Sequence, residues 1–258
     1  MRNVQQRSSP FCNVLDHDAS LPLATDSKGP YRLPPVDDLD YYGECHAARE
    51  TGGDFFDFLA PFKSILMLSI GEVSRQGSSS PDLIRQLQVS LRELVSCRRQ
   101  SLSLMVQELN RILCECYADA PKVTLFLAQI DSQRLEVHYV NAGHEPALLI
   151  RDKARQILPL PGSGADLGVT PHTRYEQKMV GLQPGDILVA LTAGVTSARD
   201  SDDCAIHEKL LLDTVRRNPR ARASDMVGQI LHGVEALPRE IAPPDDRTVI
   251  VARLLARA

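Results

Sequence analysis

The amino-acid sequence predicts an α+β domain built in layers, in which antiparallel strands form the sheets and helices pack against them. Short apolar runs separated by turn residues predict strands joined as hairpins, and two longer segments repeat apolar residues every three or four positions. Because a helix with one apolar stripe must bury it against another element, hairpins separated by helix pairs favour this architecture. The chain has 258 residues and 43% hydrophobic content, which suits one large domain with a sizeable core.

The N-terminal segment, residues 1–40, is predicted to be an arm or linker ahead of a folded domain at 41–258. It is rich in Asp, Ser and Pro and shows little hydrophobic periodicity. Such a segment is too short to form a domain with its own core.

Strands are predicted where apolar runs are bounded by turn residues. The predicted strands lie at 64–71, 123–130, 134–140, 146–151, 174–181, 186–192 and 247–254. Between the second and third of these, residues 131–134 read Asp-Ser-Gln-Arg and predict a hairpin turn.

Four helices are predicted from apolar residues that recur with the helical period. Residues 80–82 read Ser-Pro-Asp, which combines an N-cap residue, a first-turn proline and a first-turn acid, and an apolar stripe then continues to Val95. A second stripe runs from Leu102 to Leu113, a third helix is expected around 205–217, and a fourth is expected to start with Ser224 as its N-cap. We interpret these stripes as core rather than as binding surface.

Acidic residues adjoin apolar runs and glycines at two nearby places. Asp54 follows two glycines and precedes the sequence Phe-Phe-Asp-Phe. Glu72 follows Gly71 at the end of an apolar run. Carboxylate oxygens are the ligands that Mg²⁺ and Mn²⁺ prefer, and glycine lets the backbone approach an ion or a phosphate closely. Acids beside turn glycines also occur on ordinary surface loops, so this segment alone leaves both interpretations open.

Three further blocks follow in the chain. Residues 141–147 read Asn-Ala-Gly-His-Glu-Pro-Ala, residues 192–196 read Thr-Ala-Gly-Val-Thr, and residues 243–248 read Pro-Pro-Asp-Asp-Arg-Thr before an apolar run. In this order and spacing, the blocks resemble the SpoIIE-like branch of the bacterial metal-dependent PPM protein phosphatases. The resemblance covers about residues 41–255. We interpret His144 as a turn residue with a local hydrogen bond.

The resemblance implies a fold, an activity and a cofactor. The fold would be two antiparallel β-sheets packed as a sandwich and flanked by helices, in α-β-β-α order, with the metal site at one end. Carboxylates from several blocks would surround two Mn²⁺ or Mg²⁺ ions, and a metal-bridging water would attack the phosphorus of a phosphoserine or phosphothreonine.

Carried over position by position, the resemblance assigns catalytic and metal-binding functions to Asp54, Glu72 and Asp245, with Asp246 beside the last. Glu72 replaces the aspartate that bridges both metals, and its extra methylene moves the carboxylate outward by roughly 1.5 Å. Mn²⁺ tolerates such a change better than Mg²⁺. Ala193 replaces the aspartate of a Thr-Asp-Gly-Val sequence, and a methyl group cannot coordinate a metal.

Three functions therefore remain open. The retained aspartates favour a divergent, active phosphatase, whereas Ala193 favours a pseudophosphatase that binds a regulatory partner without hydrolysis. Where the family binds two ions, this site could hold two, one or none. A scaffold with no ligand at all is the third reading. Candidate compensating groups are Thr192, Asp200, Asp202 and Asp203, although the sequence does not place them at the site.

The resemblance also implies a partner. Its members typically act on serine-phosphorylated anti-anti-sigma proteins in partner-switching signalling, so we expect such a protein as substrate or ligand. A homodimer is compatible with the sequence.

Bulk properties exclude several other classes. A net charge of −4 gives no electrostatic case for nucleic acid, and no apolar run approaches the ~18 residues of a membrane span. The N-terminus lacks a signal-peptide pattern, so we expect a cytoplasmic protein. The six cysteines form no C-x-x-C pair and are predicted to be reduced thiols.

Overall fold

The computed structural model describes residues 33–48, 52–74, 81–96, 101–117, 121–151, 154–162, 164–198, 206–238, 241 and 245–256. These residues form ten strands and five helices. In chain order they are β1 (Leu39–His46), β2 (Asp54–Phe62), β3 (Ile65–Val73), α1 (Pro81–Ser96), α2 (Leu102–Cys116), β4 (Val123–Asp131), β5 (Glu136–Ala142), β6 (Ala147–Arg151), β7 (Gln156–Leu160), β8 (Lys178–Gly181), β9 (Ile187–Leu191), α3 (Ala193–Thr196), α4 (Ile206–Arg217), α5 (Ala223–Glu235) and β10 (Arg247–Leu254).

The strands form two five-stranded antiparallel sheets. The first sheet has the order β1-β10-β9-β6-β7 and the second has the order β2-β3-β4-β5-β8. Helices α1 and α2 pack on the second sheet, and α5 packs on β1 and β10 of the first. The predicted α+β sandwich flanked by helices is therefore confirmed.

The core has three apolar layers, and strand β3 shows why. Leu66, Leu68 and Ile70 face the layer between the sheets, whereas Met67 faces the layer beneath α1 and α2. A third layer lies between the first sheet and helices α4 and α5. Because the central strands are covered on both faces, they read as nearly continuous apolar runs instead of alternating ones.

Most predicted strands are present, with ends shifted by up to two residues, but the strand predicted at 174–181 covers only 178–181. Strands β1, β2 and β7 were not predicted. Strands β1 and β7 are sheet edges without a clear alternating pattern, and β7 contains Pro159, which sheets accept mainly at edges. In β2, Pro61 lies in a stretch where the pairing with β3 shifts register. Each lacks the local signal on which strand prediction depends.

The folded region extends into the last residues of the predicted arm. Strand β1 begins at Leu39, Val36 is buried in the inter-sheet core, and the Tyr41 hydroxyl donates a hydrogen bond to the carbonyl of Pro34. The rest of the predicted arm, 1–32, lies outside the described residues, as does Ser80, the predicted cap of α1.

The predicted N-cap of the fourth helix is wrong. Helix α5 begins at Ala223, so Ser224 lies inside its first turn. The side chain at the cap position, Arg222, makes no capping hydrogen bond. Instead the backbone N–H of Ala223 donates to Asp40 Oδ2 at 2.9 Å. A carboxylate from β1 therefore satisfies this helix end, and the local sequence of α5 contains no sign of it.

This difference predicts a stability result. Replacing Asp40 by Ala removes a negatively charged cap, so we expect the free energy of unfolding to fall by about 1 kcal/mol. Ser224→Ala is the matched control and should change it by less than about 0.5 kcal/mol. Urea denaturation of both variants measures this directly. Equal losses in the two variants would contradict the assignment of the cap.

No helix within the described ranges has the length and apolar character that crossing a membrane would need. The described cysteines, Cys45, Cys114 and Cys116, are free thiols, as predicted. The other three cysteines lie outside the described residues.

Candidate metal and active site

Acidic residues from separate blocks meet at one end of the sandwich. Asp54 is the first residue of β2, and Glu72 of β3 lies directly opposite it in the antiparallel register. Asp245 and Asp246 immediately precede β10 of the first sheet. The charges of both raise the pKa of Asp54, and that of Asp245 also raises the pKa of Glu72. The fold therefore places the three predicted site residues within electrostatic reach of one another.

Two threonine hydroxyls hold Asp54. Thr192 Oγ1 donates to Asp54 Oδ2 at 2.7 Å, and Thr248 Oγ1 donates to the same oxygen at 2.8 Å. Both threonines are fully buried. Among the described residues, no group donates a hydrogen bond to the other oxygen, Asp54 Oδ1.

A backbone amide holds Glu72. The N–H of Ala193, the first residue of α3, donates to Glu72 Oε1 at 2.5 Å. Ala193, in the Thr-Ala-Gly-Val-Thr block, therefore contributes its peptide N–H to the neighbouring acid. Oε2 of Glu72 accepts no hydrogen bond from the described part of the chain.

The two C-terminal acids have different surroundings. Asp246 is buried, and its oxygens accept hydrogen bonds from the N–H groups of Ala48 at 2.8 Å and Gly53 at 2.6 Å. Asp246 therefore connects the backbone at Ala48 and at Gly53 to the start of β10. Asp245 is partly exposed, and its Oδ1 accepts a hydrogen bond from the Asp246 N–H at 2.8 Å. Asp246 thus organises the backbone beside Asp54, whereas Asp245 is the more exposed of the pair.

Close backbone packing supports this arrangement. A Cβ atom added to Gly194 would lie 2.0 Å from the Asp246 carbonyl oxygen, and one added to Gly53 would lie 2.9 Å from the Val73 carbonyl oxygen. Only glycine lets these backbones approach so closely. The glycines of the sequence blocks therefore bring the acid-bearing segments together.

Burial dominates the electrostatics of the site. Desolvation raises the pKa of Asp54 to about 6 and that of Glu72 to about 7, and the neighbouring carboxylates add to both shifts. The threonine hydroxyls and the Ala193 N–H act in the opposite direction. No basic side chain is among the causes of either shift. Buried carboxylates without a cationic partner are costly, and a divalent cation would relieve that cost.

The raised pKa values predict how stability depends on pH. Between about pH 8 and pH 5, folded metal-free protein binds protons at Asp54 and Glu72 that the unfolded chain does not bind, so lowering the pH stabilises the fold through these groups. The variant Asp54→Asn/Glu72→Gln should lose this component. Thermal unfolding in a chelator at several pH values measures the difference between the two proteins.

Comparing the two proteins separates the effect of the two acids from that of His144. Burial lowers the pKa of His144 to about 4, so His144 destabilises the fold as the pH falls below about 6.5. This effect is the same in both proteins and cancels in the difference. A wild type and a double variant with parallel stability profiles from pH 8 to pH 5 would contradict the prediction.

The donor set suits a hard cation, although the side chains do not form a closed shell. Asp54, Glu72 and Asp245 offer carboxylate oxygens, the donors that Mg²⁺ and Mn²⁺ prefer. Within the ranges that the structure describes, no three His, Cys, Asp or Glu side chains are gathered tightly enough to form a preassembled metal-binding group. The residues considered as compensation, Asp200, Asp202 and Asp203, lie outside those ranges.

His144 makes the local hydrogen bond that was predicted for it. The neighbouring Glu145 was not among the predicted site residues. The backbone N–H of His144 donates to Asn141 Oδ1 at 2.9 Å, and its Nδ1 lies 3.0 Å from the hydroxyl of Thr124, which pairs with Glu72 across the β3–β4 ladder. Glu145 is exposed, and its charge raises the pKa of Glu72. Its place in the same sequence block as His144 was the available signal.

Two packed antiparallel sheets with flanking helices match the architecture of solved PPM, or PP2C, phosphatase domains. The chain belongs to the SpoIIE family, because the family model described as Stage II sporulation protein E (SpoIIE) matches residues 64–255.

Individual relatives agree with this assignment. Phosphoserine phosphatase RsbU of Bacillus subtilis (strain 168) is 24% identical over 253 residues, which are 98% of this chain and 72% of RsbU. Among solved structures, the RsbU and RsbW domains of Rv1364c from Mycobacterium tuberculosis give a TM-score of 0.72 at 23% identity, over 88% of this chain and 64% of that chain. The catalytic domain of the serine threonine protein phosphatase PstP, in complex with 2 manganese ions, gives 0.58 at 15% identity, over 84% and 99%. At these identities the structural similarity establishes the fold.

Proposed function

We propose that this chain is a metal-dependent phosphoprotein phosphatase of the SpoIIE type that acts on phosphoserine or phosphothreonine. The observation that supports this most directly is the pair Asp54 and Glu72. Asp54 is buried, Glu72 is half-buried directly opposite it, and no basic side chain contributes to their pKa shifts. Such a pair is unfavourable in a purely structural role and suits a cation-binding one.

Asp54, Glu72 and Asp245 would hold the cation, which we propose to be Mn²⁺ or Mg²⁺. A bound divalent cation lowers the pKa of water and neutralises charge on a phosphoryl oxygen. The chain itself orients the donors. Threonine hydroxyls occupy one oxygen of Asp54, and the Ala193 N–H occupies one oxygen of Glu72, so each side chain keeps one oxygen for a ligand.

The substrate that we propose is a serine-phosphorylated protein of the anti-anti-sigma type, in a partner-switching pathway. RsbU is named a phosphoserine phosphatase, and the Rv1364c structure holds RsbU and RsbW domains in one chain. These similarities support the substrate class by family membership. A pull-down with phosphorylated and unphosphorylated candidates that recovers none of them would argue against it.

The test measures Mn²⁺ binding by isothermal titration calorimetry and hydrolysis of a phosphoserine peptide in the same buffer. We expect the wild type to bind Mn²⁺ and to release phosphate, and Asp54→Asn/Asp245→Asn to do neither. Turnover that survives in the double variant would place the chemistry elsewhere.

A second function is favoured by one observation. Ala193 has no carboxylate, and its backbone N–H takes up an oxygen of Glu72 that a metal would otherwise use. A pseudophosphatase that binds a phosphoprotein without hydrolysis would have such a site. If the wild type shows no turnover while Ala193→Asp/Glu72→Asp gains it, this second function replaces the first.

A further inference from the structure

We infer that Thr192 and Thr248 are positioning residues, which hold the Asp54 carboxylate from the opposite sheet so that its Oδ1 is presented to the cation. This inference rests on the proposed function, because it assigns a purpose to a geometry beside the proposed metal site. Neither threonine belongs to the acidic donor set.

The hydrogen bonds around Thr192 leave its hydroxyl proton one destination. Thr192 lies at the end of β9, and its N–H donates to the Thr248 carbonyl at 3.1 Å. In return the Thr248 N–H donates to Thr192 Oγ1 at 2.9 Å. A hydroxyl has a single proton to donate. Since the Thr192 oxygen already accepts from Thr248, its proton is directed to Asp54 Oδ2 at 2.7 Å.

Thr248 completes the pair from β10. Its hydroxyl donates to Asp54 Oδ2 at 2.8 Å, so two donors from the first sheet converge on one oxygen of a residue in the second sheet. Hydrogen bonds to an ionised carboxylate are short and strong, and two of them restrict rotation of the carboxyl group. The remaining oxygen is thereby fixed in direction, which is how outer residues orient a metal ligand.

Burial shows that packing alone does not require threonine here. Both side chains are completely buried, and Thr248 is followed in β10 by Val249, Ile250 and Val251. Valine has nearly the shape of threonine and the same preference for strands. A buried hydroxyl costs free energy unless it is hydrogen-bonded. Thr192 Oγ1 also accepts from the Thr248 N–H, and Thr248 also bonds Cys45, but Asp54 Oδ2 is the partner that the two hydroxyls share.

The experiment compares valine and serine at each position by Mn²⁺ titration calorimetry. Thr192→Val and Thr248→Val keep the shape and lose the hydroxyl, whereas Thr192→Ser and Thr248→Ser keep the hydroxyl. We expect each valine variant to lose about tenfold or more in Mn²⁺ affinity, and each serine variant to stay within about threefold of wild type. Equal affinity in wild type and valine variants would overturn the inference, as would equal losses in valine and serine variants.

Circular dichroism and thermal unfolding show whether each variant is folded, and the serine variants keep the comparison informative if a valine variant is not. In an Asp54→Asn background, the further change to valine should leave any residual Mn²⁺ affinity unaltered. If the wild type itself binds no Mn²⁺, the proposed function fails separately. In that case, crystal structures of the wild type and Thr192→Val/Thr248→Val test the positioning instead. An Asp54 carboxyl group with the same orientation in both overturns the inference, and one that rotates in the variant supports it.

Discussion

Asp54→Asn is expected to lower Mn²⁺ affinity and phosphoserine turnover by more than about a hundredfold while making the metal-free protein more stable. The amide keeps the shape of the side chain but carries no charge, and it leaves only one oxygen, which the two threonine hydroxyls would occupy. Burial raises the pKa of Glu72 most and the Asp54 charge raises it further, so removing that charge also relieves repulsion at Glu72. Function and stability should therefore change in opposite directions, as is usual for residues kept for chemistry.

Calorimetry with Mn²⁺, the peptide assay and thermal unfolding in a chelator measure the three effects on one preparation. The matched control is Asp213→Asn, which changes an acid in an exposed ion pair with Arg217 on α4 and should leave all three unchanged. The prediction fails if Asp54→Asn binds Mn²⁺ with wild-type affinity. A parallel loss of stability and activity would instead indicate that Asp54 is a structural residue.

Arg92→Met is expected to lower the free energy of unfolding by about 3–5 kcal/mol, the largest stability effect that we predict. The Arg92 guanidinium on α1 contacts both oxygens of Asp57 on β2, at 2.6 and 3.0 Å. Asp57 is only 1% exposed. Methionine keeps most of the aliphatic stem but leaves this buried carboxylate without its guanidinium partner, which is costly.

Urea denaturation with a matched control measures this effect. Arg111→Met on α2 removes an arginine that forms two ion pairs, with Glu108 and Glu115, on a solvent-exposed face, and should cost less than about 1 kcal/mol. The double variant Arg92→Met/Asp57→Leu should recover much of the loss, because replacing both residues removes the buried negative charge together with its guanidinium partner. A loss for Arg92→Met no greater than that for Arg111→Met would contradict the prediction.

Several elements could be predicted because their signals are local. Helices α1 and α2 follow from apolar residues at three and four positions apart, and the turn at 132–135 follows from polar residues between two apolar runs. Resemblance added the arrangement of the sheets and the choice of Asp54, Glu72 and Asp245 as candidates. The resemblance also led to the prediction that Ala193 occupies the position of a family aspartate.

Other features had no local signal. The cap of α5 comes from Asp40, and the oxygens of Asp246 bind backbone groups at Ala48 and Gly53. In each case the partners are more than 180 residues apart in the chain. A sequence pattern reports on neighbours along the chain, so Ser224 was the plausible cap, and the backbone hydrogen bonds that Asp246 accepts had no local signal.

The sequence by itself therefore determined the class of domain, its central strands and helices, and the kind of chemistry that its acidic blocks suit. Only the tertiary structure showed that Asp246 holds the backbone N–H groups of Ala48 and Gly53 ahead of β2. It also decided that Thr192 and Thr248 hold Asp54, across 138 and 194 residues of chain. The physical reason is that these hydrogen bonds form between residues of two different sheets. The spacing of residues along one strand does not predict which residues of the other sheet they will contact.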